Sequence, residues 1–270
     1  MMADHRRVIV PIARLAMGKP EMHTMQKLLL ASALWISSVV AATLPNGTDD
    51  PSMAFVFRLS LDAGGRITAL DYVGKHGNDN PVAKKLELLI RSWQFEPGKV
   101  NGVPMQTDTT LTVRTVLRKS SSESIELDII DAHTGAAAER LGQPAYPSQC
   151  FSAVIEARLI AIVSVGVNGK ATKVEFAGTS PMIDTYRKAF ETAIVEASKG
   201  DWRFRPESVG GHAIASQVSL PIDFCMSAVS PCARVKDEAV ASDGTVLKSV
   251  PIALDSQVTL VTPVAGMTLE

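Results

Sequence analysis

Little in this chain belongs to the usual chemistry of enzymes. It has three cysteines and five histidines in 270 residues, and neither type falls at a metal-ligand spacing. Cys225 and Cys232 have no histidine beside them and are not separated as zinc-binding pairs usually are. There is no Gly-x-Ser-x-Gly elbow, no phosphate loop and no His-Glu-x-x-His. His76, His133 and His212 read as loop residues without the partners of a triad, and Asp237-Glu238 reads as a solvated turn. The expectation is a protein that is not an enzyme, with no catalytic residue, metal or cofactor. Aromatic residues are 5% of the chain and the formal charge is −1. With no basic stripe interleaved with aromatics, nucleic acid is not an expected partner. What is present is an ordinary globular composition, 46% hydrophobic and 20% charged, long enough for two small domains.

Met25-Gln26-Lys27 is followed by an apolar run from Leu28 to Ala42, with small residues Val40-Ala41-Ala42 before Thr43. That pattern predicts a secretory signal over residues 1–42, whose first 24 residues read as an upstream extension before Met25. The run is short for a membrane span, which needs roughly 20 residues; an uncleaved anchor is the alternative. Export places the cysteines in an oxidising compartment. Cys225 and Cys232 are the candidate disulfide, close in sequence and separated by a Ser-Pro turn; Cys150 paired with Cys225 is the alternative.

The chain carries an internal echo. Trp93-Gln94-Phe95-Glu96-Pro97 returns as Trp202-Arg203-Phe204-Arg205-Pro206. Trp93 and Trp202, Pro97 and Pro206, and Gly102 and Gly211 are all 109 positions apart, while Gly65 and Gly169 are 104 apart. A constant offset that changes once, around a helix, predicts two copies of one module. In the first copy, Phe55, Phe57, Leu59 and Leu61 share a strand face, and Gly64-Gly65 turns the chain into a second strand from Ile67. Asn80-Pro81 caps a helix running to about Ser92, with Val82, Leu86, Leu89 and Trp93 on its stripe. A strand from about Met105 to Leu117 closes the copy, as a rim that is either covered or a binding site. In the second copy, Asn168-Gly169 is the hairpin turn and Ser180-Pro181 starts a helix carrying Ile183, Arg187, Phe190 and Ile194, with Lys199-Gly200 ending it. The closing strand 216–224 puts Val218, Leu220, Ile222 and Phe224 on one face, and Pro221 marks it as an edge.

These residues resemble the C-terminal domain of TonB, the periplasmic protein that links an inner-membrane motor to outer-membrane transporters. The resemblance rests on Gln143-Pro144-Ala145-Tyr146-Pro147, Val163-Ser164-Val165-Gly166-Val167-Asn168-Gly169-Lys170 and Trp202-Arg203-Phe204-Arg205-Pro206. The first copy keeps Phe95-Glu96-Pro97-Gly98-Lys99 but has no Gln-Pro-x-Tyr-Pro. It implies an α+β fold of two TonB C-terminal-like modules, each a small antiparallel sheet with one packed helix, over residues 53–117 and 143–224. Residues 118–142 are then a linker, in which Ile125–Ile129 is free to add a strand to either module and Ala136–Leu141 to make a helical turn or two. Residues 225–270 are a C-terminal extension whose 246–261 part is expected to form a hairpin over a sheet edge.

The resemblance further implies a periplasmic location and a protein or peptide partner, an outer-membrane transporter segment being the family's own. Gln143, Pro144 and Tyr146 are the contact candidates by resemblance, and Val218, Leu220 and Ile222 are the candidates for strand addition at 216–224. Proline-rich Gln143–Pro147 has a plain alternative as a rigid packed spacer. The competing function is a structural or self-associating envelope module, with homo-oligomers as its partners, and an unrecognised periplasmic enzyme comes third. A tail 246–261 free of the sheet favours the first function; a tail paired to it favours the second.

Overall fold

The computed structural model describes residues 52–74, 80–119, 125–177, 182–226 and 251–269. The expected signal at 1–42, His76, Ser180-Pro181 and Cys232 lie outside them.

The first half opens with β1 (Ser52–Leu61) and β2 (Ile67–Tyr72), an antiparallel pair. Phe55, Phe57, Leu59 and Leu61 are all buried, as period-two alternation over one covered face requires. The Asp62 carboxylate accepts from the Gly64 and Arg66 amides at 2.8 and 2.9 Å and closes the turn. Gly65 holds φ +79°, and a Cβ there would fall on the Phe95 carbonyl oxygen; only glycine fits both conditions. α1 (Pro81–Ile90) starts where the Asn80 side chain accepts from Val82 and Ala83 amides, with proline at the first turn. Its fully buried residues are Ala83, Leu86 and Ile90. Leu86 and Trp93 are buried as expected, whereas Ala83 and Ile90 take the core positions expected of Val82 and Leu89, which flank the contact at half burial. Then come β3 (Phe95–Glu96), the hairpin β4 (Lys99–Val100) and β5 (Val103–Pro104), and the long β6 (Thr107–Lys119).

β7 (Ile125–Gly135) joins the first half, running antiparallel to β6 from Lys119↔Ile125 to Thr110↔Gly135. His133 is therefore a strand residue, where a loop was expected. β8 (Ala137–Arg140) is extended where a helical turn was expected, because it pairs with a short strand further on. α2 (Ser148–Ser152) follows the proline-bounded segment.

The second half repeats the order. β9 (Ala157–Val165) and β10 (Ala171–Ala177) form an antiparallel hairpin, and Gly169 repeats Gly65, with φ +72° and a Cβ position that falls on the Phe204 carbonyl oxygen. α3 (Asp184–Lys199) buries Phe190 and Ile194, while Ile183 stands outside the helix as its cap residue and is exposed. β11 (Arg203–Arg205) pairs with β8, the hairpin β12 (Ser208–Val209) and β13 (His212–Ala213) follows, and β14 (Ser216–Phe224) lies against β9 along its length. In the tail, β15 (Ile252–Ala253), β16 (Thr259–Leu260) and β17 (Thr268–Leu269) go to three different partners, β14, β3 and β7. Among the described residues these strands do not pair with one another as the expected hairpin would, and residues 246–250 of that expectation lie outside them.

The fold is α+β with mostly antiparallel sheets. Two apolar clusters lie beneath them, one around Phe57, Leu86, Trp93 and Leu111 and one around Val163, Phe190, Trp202 and Phe224. The halves are joined through hydrogen bonds, since β12 of the second adds to β6 of the first with Ser208↔Asp108 and Val209↔Thr107. Glu207 sits at this junction, 1% exposed. It accepts from Thr109 Oγ1 at 2.6 Å, from Ser256 Oγ at 3.0 Å and from the Gln257 amide at 2.6 Å, which satisfies a carboxylate that burial would otherwise penalise. No helix among the described residues is long and apolar enough to cross a membrane.

Candidate partner-binding site

The candidate strand, β14, is bound on one side by β9 from Ser216↔Val165 to Phe224↔Ala157. On its other side β15 pairs at Val218↔Ala253 and Ser219↔Ile252. Two further bonds hold the cover at its start. The Leu254 amide donates to the Gln217 carbonyl, and the Gln217 amide donates to Asp255 Oδ1, both at 2.9 Å. The strand is thus no bare edge, and the tail is paired to it. Val218, Leu220 and Ile222 point into the second core and are 0, 2 and 5% exposed. Anything recognising this strand would meet its backbone and not those side chains.

The Gln143–Pro147 segment separates into exposed and packed residues. Gln143 is exposed, Pro144 buried and Tyr146 half-buried. The Tyr146 ring meets Phe151, Phe190 and Phe224 edge-on at 6.0, 5.7 and 5.6 Å, geometry that aromatic quadrupoles favour. Its hydroxyl donates to the Ile155 carbonyl at 2.5 Å. Burial, with help from the nearby Glu156 and Cys150, pushes the Tyr146 phenol up to about 12. This tyrosine anchors the segment to the second core, and Gln143 is the candidate left facing solvent. The segment is also held from the other end, where the Trp202 indole N–H donates to the Gly142 carbonyl at 2.7 Å.

Asp223, fully buried on β14, binds Arg158 of β9 through two nitrogens at 2.8 and 3.2 Å. Burial pushes its carboxyl above the usual range although the guanidinium pulls the other way. The pair therefore does not recover the whole cost of desolvation, as is common for buried ion pairs. At Cys150, the thiol is buried, free and 3.8 Å from the Tyr186 carbonyl, so the alternative Cys150–Cys225 bridge is not formed. Cys225 is disulfide-bonded. His133 lies 3.2 Å from Asp131 on β7, and His212 is exposed on β13. Among the described residues no group of three or more His, Cys, Asp or Glu is arranged to hold a metal ion.

Pairing of the 246–261 tail with the sheet was one of the two alternatives read from the sequence, without Ile252, Ala253 and Asp255 being singled out as the residues seated on β14; Glu207 as the junction between halves was missed. The alternation of Ile252 and Leu254 was visible, yet which strand they would meet was not. For Glu207 the available signal was a carboxylate directly after Trp-x-Phe-x-Pro.

This is an α+β protein of mostly antiparallel sheets. It is similar over part of its length to Protein TonB of Xanthomonas campestris pv. campestris, with 29% identity over 98 residues in strain B100 and the same values in a second strain. The matched region is 36% of this chain and 41% of the relative, so the chain spans less than half the length of the curated proteins it matches. No protein-family model matches the chain. The similarity is distant and partial, and TonB-like is the description it carries.

Proposed function

We propose that this chain is a non-catalytic, periplasmic TonB-like protein built of two TonB C-terminal-like modules, and that it binds an extended peptide by strand addition at β14. The partner class is a segment of a TonB-dependent outer-membrane transporter. The observation that carries this reading is the partial similarity to TonB; the tail seated on β14 counts against it, but that cover is short, two residue pairs with β15 on the outer side. An incoming strand supplies main-chain hydrogen bonds there in exchange for those of β15. Its register must avoid Pro221, which has no amide to donate. Gln143 is the polar contact beside the strand, with Pro144 and Tyr146 setting its position.

A second reading, a structural or self-associating envelope module, is favoured by the tail being seated on β14 at all. One titration separates them. Isotope-labelled protein is titrated with TonB-box peptides while backbone amide shifts are followed, in the native chain and in Ile252→Pro, which removes the amide of a β15 residue. Peptide binding predicts shifts concentrated in 216–224 and around Gln143–Tyr146, and tighter binding in the variant. Absence of shifts at millimolar peptide in both proteins would leave the structural reading.

A further inference from the structure

The first half holds a cavity of about 730 Å3 lined by the Gly64-Gly65 turn, Ile67, Trp93, Phe95 and Val261, with Arg66 and Arg91 at its rim. That volume suits a small ligand or a few residues of peptide. Its wall is apolar where Ile67, Trp93, Phe95 and Val261 meet. Its rim carries Arg66, Arg91 and Glu96: Arg91 is tied to Glu87 at 2.6 Å and Glu96 lies 3.8 Å from Lys99, whereas the Arg66 guanidinium has no hydrogen bond or ion pair among the described residues. Such a surface selects a ligand that has an apolar group and a carboxylate close together.

The second half indicates what form that ligand takes. There the chain continues from β8 across the tryptophan, and the Gly142 carbonyl accepts the Trp202 indole N–H. In the first half β16 replaces β8 at the corresponding short strand. Two more bonds follow, the Val261 amide to the Gln94 carbonyl and the Gln94 amide to Thr262 Oγ1, at 2.9 and 2.8 Å. The chain then departs, burying Val264 and joining β7. Trp93 is 4% exposed and its indole nitrogen has no hydrogen-bond partner. One tryptophan has a main-chain carbonyl on its indole nitrogen and the other has none.

We propose that this cavity binds an extended peptide segment that sets an apolar side chain against Ile67 and Trp93 and a neighbouring carboxylate on Arg66. The segment brings the main-chain carbonyls that the Trp93 side of the first half lacks. This site is separate from β14 and does not rest on the function proposed above.

The test uses two probe peptides, acetyl-Ala-Leu-Glu-Ala-amide and the same sequence with Gln for Glu, titrated into the isotope-labelled full chain. The expected result is saturable shifts at the Gly64–Ile67 amides and the Trp93 indole N–H with the Glu peptide, and unmoved β14 amides. Binding of the Gln peptide, and of the Glu peptide to Arg66→Ala, is expected to be weaker by about tenfold, the scale of one charge-assisted hydrogen bond. Arg66 is an exposed turn residue, so its side chain can be removed without opening the core. No saturation with either peptide, equal affinity for both, or undiminished binding to Arg66→Ala would each overturn the proposal. Shifts at β14 alone would overturn it while leaving the strand-addition reading in place.

Discussion

The two halves follow one chain order and then treat their last strand differently. β6 is an interior strand, with β1 on one side and β7 on the other for most of its length. β14, its counterpart, has β9 on one side and two residue pairs of β15 on the other. Charges at matching positions follow the same contrast. Arg114 binds outward to Asp131 on β7, with Nε at 2.8 Å from the carboxylate, whereas Asp223, 109 positions later, binds inward to Arg158 on β9. The tryptophans differ in the same sense, Trp202 bonded to Gly142 and Trp93 without a partner. A shared chain order does not give a shared surface. What lies beside the last strand of each half decides whether that strand is flanked on both sides along most of its length.

The largest effect should come where the halves are alike. Gly65→Ala and Gly169→Ala each force a left-handed backbone on alanine and press a Cβ onto a carbonyl oxygen. Each should cost about 3 kcal/mol of stability in chemical denaturation; a loss at one site only would break the equivalence of the two turns. The tryptophans sharpen the difference. Trp202→Phe leaves the Gly142 carbonyl unmet, while Trp93→Phe removes an indole N–H that had no partner. The first should cost about 1–2 kcal/mol more than the second, and equal losses would show that the bond to Gly142 is not what distinguishes them. The smallest effect is a pH dependence confined to the second half. Tyr146 titrates near 12 in the folded chain and near about 10 when unfolded. Its contribution is therefore complete below about pH 10, declines as pH rises through that window and is gone above about 12. Ultraviolet titration of tyrosinate should show a late phase that Tyr146→Phe removes, together with a flatter loss of stability over the same range.

What could be read in the chain was whatever local chemistry determines. The glycine turns, the Asn80 cap and the alternation of Phe55, Phe57, Leu59 and Leu61 all follow from neighbours in sequence. The α+β class follows from them. Pairing between distant segments was not readable. Ile125–Ile129 alternates equally well for either sheet, and Ala137–Arg140 has the composition of a helical turn until Arg203–Arg205 gives it a strand to join. The candidate site shared this split. The strand 216–224 was placed, since β14 covers those residues, but Pro221 suggested a barer edge than β15 leaves. Tyr146 was singled out by a motif, although its ring contacts depend on Phe190 and Phe224 from other elements.

The hydrogen bond between Gln94 and Thr262 closes a separation of 168 residues, and that distance governs timing. A chain made from its first residue onward produces β3 long before β16 exists, and β6 before β12. The first half must therefore wait, its sheet unfinished and part of its core open, until β16 and Thr262 have been made. Entropy of closing so long a loop rises only slowly with length, so the delay costs little final stability. The rate is another matter, because long-range pairings slow folding and leave unpaired edges available for aggregation meanwhile. Shortening the tail should thus harm the first half, through β3 and β7, before the second.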